Sequence, residues 1–181
     1  MSSPVEFLRG LLTRHFEELE FLLSQRAIAL RSSTHRLENL YDLEERIDAH
    51  LDGLILGDDE AIPMLKEALA GDEPGPAGAA ALVLLWLQQP AAAKLVADAL
   101  KDASGPKAGA VSWALCHGPS EKLFEQLETV VASGQPAAAV AAAEALAYHK
   151  HLKASQPRLA EFAASDDPQI RATAWRIAAL L

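Results

Sequence analysis

The residues able to do chemistry in this 181-residue chain are few: six histidines, one cysteine and scattered carboxylates. His149-x-His151 invites a metal reading. On a helix, however, positions i and i+2 point to different sides, and neither cysteine nor carboxylate stands at i+4 to complete a ligand set. A helix-end or loop pair is the better account. Cys116-His117 pairs a thiol with a base in sequence only, because neighbours on a helix diverge by about 100° and a dyad would need a remote partner. A buried thiol is expected. His50 falls between Ile47 and Leu51 on an apolar stripe and reads as a structural histidine at the edge of a helix interface. Asp58-Asp59-Glu60 lacks the alternating oxygen spacing and the glycine of a calcium loop, so it reads as a capping and solvating cluster. No GxxxxGK[ST], GxSxG or post-strand GxGxxG occurs. The expectation is therefore a non-enzyme, without catalytic residues, metal or cofactor.

The elements that would position these residues are helices. Prolines 76, 106, 136 and 168, spaced 30, 30 and 32 residues apart, each open an alanine-rich run after a polar loop. A self-similar period in this range is the signature of stacked helical repeats, each burying its apolar face against its neighbours. From residue 61 onward 33 of 121 residues are alanine, which favours helix and lets helix axes approach closely. First helices are expected at approximately 62–70, 91–102, 120–133 and 157–164, and second helices at approximately 77–88, 107–116, 136–148 and 168–180. Pro157 would follow a Ser155 cap. The run Ala77 to Leu87 is too short to span a bilayer and reads as a fully buried helix.

Residues 1–60 differ. They hold 13 Asp and Glu against 6 Arg and no Lys, so most of the formal charge of −9 lies there. Phe16, Leu19, Leu22, Leu23, Ala27 and Leu30 form one apolar stripe over residues 15–30. Arg31-Ser-Ser-Thr34 would cap a second helix carrying Leu37, Leu40, Leu43, Ile47, Leu51 and Leu54, with Gly53 and Gly57-Asp-Asp-Glu60 marking its exit. The expected organisation is an acidic helical hairpin at 1–60 and about four helix pairs at 61–181. No stretch alternates as a strand would, so the fold class is all-α, a short α-solenoid.

Two stretches carry resemblances. Ser165-Asp-Asp-Pro-Gln-Ile-Arg171-Ala-Thr-Ala-Trp175 resembles the HEAT repeat, whose second helix often opens Asp-x-x-Val/Ile-Arg; the earlier repeats keep the proline and alanines but lack that pair. Leu37-Glu-Asn-Leu-Tyr-Asp-Leu-Glu-Glu-Arg-Ile-Asp-Ala-His-Leu-Asp-Gly-Leu54 resembles the amino-terminal segment of an uncharacterised proteobacterial HEAT-like family associated with type VI secretion gene clusters. That resemblance implies a bacterial cytosolic protein with no established activity. Family members are longer, which implies a short homologue or an amino-terminal portion.

In HEAT-like arrays the second helices line the concave face. Trp86, Trp113 and Trp175 all fall on second helices, so they, with Arg171, are candidate partner-binding residues. Inter-repeat packing is the competing account, since large aromatics are mostly buried. Glu44, Glu45 and Asp48 form a candidate acidic contact face that would steer a basic protein. Ile177, Leu180 and Leu181, with Trp175, end the chain in an apolar helix and are candidates for self-association, making a homo-oligomer through that helix. The partner is expected to be a protein. The acidic balance, with pI near 5.1, opposes nucleic acid. The amino terminus has no basic n-region or uninterrupted apolar core, and no membrane association is expected, so the reading is cytoplasmic. The leading function is a protein–protein scaffold or adaptor. The alternatives are an immunity-type inhibitor masking a toxin and a HEAT-like nucleic-acid-interacting enzyme.

Overall fold

A computed structural model describes residues 3–181. The chain is all-α: ten α-helices and no strand among the described residues. The hairpin is α1 (Pro4–Ala29) and α2 (Leu37–Leu56), packed antiparallel. Four helix pairs follow: α3 (Ile62–Ala70) with α4 (Pro74–Trp86), α5 (Pro90–Asp102) with α6 (Gly105–His117), α7 (Phe124–Ser133) with α8 (Pro136–Tyr148), and α9 (Arg158–Ala163) with α10 (Pro168–Leu180). The second helices pack in series, α4 on α6, α6 on α8 and α8 on α10. That neighbour order is compatible with a short solenoid.

Proline does the same job at each start. It occupies the first turn of α1, α3, α4, α5, α6, α8 and α10, where its missing N–H has no helical partner to lose. The second helices begin three residues earlier than expected at α4 and two earlier at α6 once the full proline pair and Gly105 are admitted. α4 and α8 are buried nearly all round, from Ala77 to Leu85 and through Ala138–Ala143 and Ala145–Ala147, so they carry no polar face. Alanine and glycine let them approach closely: a Cβ on Gly78 would lie 3.2 Å from the Ala110 Cβ across α4 and α6. One apolar cluster runs from Leu12 and Leu19 of α1 through α2 and all four pairs to Ile177.

Four local expectations change. α1 begins at Pro4 because Ser3 and Glu6 form a reciprocal capping box, Ser3 N–H donating to Glu6 (2.7 Å) and Glu6 N–H to Ser3 Oγ (3.1 Å). α2 starts after Arg36 with no side-chain cap, since Ser32 and Thr34 bond each other at 2.8 Å, and it runs through Gly53 to Leu56. Asp58–Glu60 form a 3-10 turn instead of capping α3; Asp58 accepts from Gln89 Nε2 at 2.6 Å. Pro157 itself caps α9, so Ser155 has no such role. Three of the exits share one device, a non-glycine residue in the left-handed region: Asp58 (φ 44°), Gln88 (φ 54°) and Lys150 (φ 58°), each two residues past the end of α2, α4 or α8.

Candidate functional site

Two adjoining clefts open on the side of the molecule formed by the second helices. The first, about 830 Å³, lies between the carboxyl-terminal half of α1 and the starts of α4 and α6. Leu23, Ala27 and Leu30 face Gly78, Ala110 and Trp113 across it. The helical spacing 23, 27, 30 is why one face of α1 supplies this wall. Leu30 is left 57% exposed, so the stripe continues past the part of α1 that packs on the array. The second cleft, about 660 Å³, runs along α6, α8 and α10 past Cys116, His117, Glu144, Tyr148, Arg176 and Leu180. Trp113 and Arg31 line both.

The second cleft is built on a satisfied polar network. Ser112, fully buried, has its Oγ 2.9 Å from the Ala141 carbonyl and 3.1 Å from Glu144 Oε2. Arg176 Nε donates to Glu144 Oε1 at 2.7 Å, and its other arm donates to Thr173. The network ties α6, α8 and α10 together. Beside it the Trp113 ring stacks on His117, centroids 4.7 Å apart, and His117 meets Tyr148 at 5.4 Å. His117 Nδ1 donates to the Trp113 carbonyl at 2.8 Å. Burial, then the Glu144 carboxylate, pushes the Cys116 thiol up to about 12, opposite to what a nucleophile needs. His117 and Cys116 form no catalytic dyad.

In the first cleft the charges are unequal in fate. Arg26 is held by Glu44 on α2 at 2.6 Å. Glu20 faces the start of α4 with no side-chain hydrogen-bond or ion-pair partner among the described residues, and its carboxyl is raised above the ordinary 4.5 by burial first, then by Glu73 and Glu17. Arg31 is exposed at the junction of the clefts.

The structure therefore separates the three tryptophans. Trp113 is half-buried on the cleft wall, whereas Trp86 is 39% and Trp175 68% exposed, and neither lines these clefts. They form no common ridge, and Trp175 is not inter-repeat core. Arg171 donates to the Ser165 and Asp166 carbonyls at 2.6 and 2.8 Å, so it braces the loop before α10. Ile177 is fully buried against its own chain, which removes it from any self-association patch; Leu180 is half-buried and Leu181 49% exposed. Of the acidic face, Glu44 is engaged by Arg26, while Glu45 and Asp48 remain exposed.

His149 and His151 are structural ties. His149 ends α8 with Nε2 2.9 Å from the Leu115 carbonyl and 3.1 Å from Ser120 Oγ. His151 Nε2 lies 3.3 Å from Glu128, and Phe124 lies against both rings. His50 has a partner that sequence reading missed. Its Nδ1 sits 3.1 Å from Nδ1 of His15 on α1. The only sequence signal for that contact was the glycine at 53, three residues on: a Cβ there would lie 2.8 Å from His15 Cε1. Among the described residues no three His, Cys, Asp or Glu side chains converge as a metal-ligand set, and no helix is long and apolar enough to cross a membrane. No protein-family model, curated protein or solved structure matches this chain.

Proposed function

We propose that this chain is a non-enzymatic scaffold or adaptor that holds a segment of another protein in the two joined clefts. The observation that carries the reading is that Trp113 and Arg31 belong to both cleft walls, so the clefts form one groove from Pro74 to Leu180. Tryptophan, tyrosine and arginine are the residues that most often dominate protein-binding energy, and here Trp113, Tyr148 and Arg31 share one groove. Glu20, desolvated and without a side-chain hydrogen-bond or ion-pair partner among the described residues, adds a carboxylate that a cation on the bound segment would neutralise. An accessory role in type VI secretion in the bacterial cytosol rests on the resemblance of residues 37–54 and is part of the same proposal.

Trp113→Ala should weaken partner binding about tenfold or more, the loss typical of a hot-spot residue, with helicity by circular dichroism unchanged. Trp175→Ala should leave binding as it was. Equal affinities for wild type and Trp113→Ala would defeat the groove reading. A second reading, an immunity-type inhibitor of a basic toxin, draws on exposed Glu45 and Asp48 of α2. It requires association that slows as salt rises.

A further inference from the structure

The hairpin contains a side-chain pair that the groove does not use. His15 of α1 and His50 of α2 point their Nδ1 atoms at each other, 3.1 Å apart, with the rings at 63° and both half-buried. Neither ring has another hydrogen-bond partner among the described residues. The ring sits close over a glycine: a Cβ at Gly53 would come within 2.8 to 3.0 Å of three His15 ring atoms, so a larger residue at 53 would displace the ring from this place.

Two nitrogen ligands 2.0–2.1 Å from one ion lie about 3.3 Å apart at a tetrahedral angle and about 2.9 Å apart at a right angle. The observed separation falls between these values. We propose that His15 and His50 form a two-histidine binding site for a late divalent transition-metal ion, zinc or copper, that clips α1 to α2. Imidazole nitrogen is the donor these ions favour. With no third protein ligand converging among the described residues, water would complete the coordination, and the half-buried rings leave solvent access for it. The site is thus exchangeable and not a permanent structural zinc.

The clip would act where it matters for the cleft, because α1 is both half of the pair and one cleft wall. The proposal does not depend on the protein-binding reading, and its test contains no partner. Zinc chloride titrated into the untagged chain, followed by calorimetry and thermal melting, should bind at one equivalent and raise Tm. His15→Gln and His50→Gln should each weaken binding at least tenfold, while His149→Gln and His151→Gln leave it unchanged. Binding that survives in both hairpin variants, or no binding at millimolar zinc, overturns the proposal. If a hairpin variant loses helicity, copper(II) spin resonance on the wild-type chain decides: coupling to two imidazole nitrogens is expected, and coupling to one or none overturns the site.

Discussion

The hairpin and the repeat array bury apolar surface by opposite means. In the array, helices of 6–13 residues are wrapped by neighbours, and α4 and α8 are buried through nine residues each. In the hairpin, helices of 26 and 20 residues bury one stripe and leave Phe7, Phe21, Ile28, Leu37, Tyr41 and Leu56 each more than half exposed. Both regions carry polar cross-links, Arg26 to Glu44 and His15 to His50 in the hairpin and Ser112 to Glu144 to Arg176 in the array, but the array adds close helix approach over small residues. Dense apolar packing makes a rigid wall, because interiors tolerate little change of volume. A long helix pair packed along one stripe sits nearer the low end of local stability. The cleft lies where these two kinds of wall meet, so one of its faces is rigid and the other adjustable.

That contrast breaks first on core truncation. Leu84→Ala removes a fully buried side chain from α4, where neighbours on all sides cannot collapse into the gap. It should cost about 2–5 kcal/mol in denaturant unfolding. Leu37→Ala on α2 removes an 85% exposed side chain and should change stability by less than about 0.5 kcal/mol. Comparable losses from the two variants would show that the hairpin is covered in solution.

Glu20 tests the seam itself. Its carboxyl is raised above 4.5 by burial, then by Glu73 and Glu17. Folding therefore favours the protonated form: that contribution is fully present below 4.5 and is lost as pH rises through the higher folded-state value. Glu20→Gln should accordingly be more stable than wild type at neutral pH by less than the Leu84 effect, and no more stable below pH 4.5. Parallel stability profiles across that window would place Glu20 in free solvent.

The repeat order was legible because each pair announces itself locally: proline at the helix start and alanine through the buried face need no knowledge of the rest of the chain. What required the third dimension was register between distant segments. His15 and His50 are 35 residues apart and meet only because α1 and α2 pair antiparallel in one register. The tryptophans make the same point. Trp113 and Trp175 each stand seven residues after a proline, yet α6 has α8 and the α1 side of the cleft around its tryptophan, while Trp175 on α10 is left 68% exposed. Arg171 looked free to bind because an arginine's hydrogen-bond partners, here two loop carbonyls, leave no mark in sequence.

The smallest effect lies in the loops. Gln88 holds φ at 54° on leaving α4, a conformation that crowds Cβ against the next carbonyl and costs roughly 1–2 kcal/mol in a non-glycine residue. Glycine would remove that crowding but add conformational freedom to the unfolded chain, worth roughly 0.5–1 kcal/mol in the other direction. The crowding is the larger of the two, so Gln88→Gly should raise stability by about 0.5–1 kcal/mol. The neighbouring Gln89, which bonds Asp58, is untouched by the change. Asp58 is the matching position after α2, but there the side chain accepts the bond that ties the hairpin exit to the array. Asp58→Gly should therefore gain less than Gln88→Gly, and a larger gain at 58 would show that this polar tie contributes nothing to holding the hairpin in place.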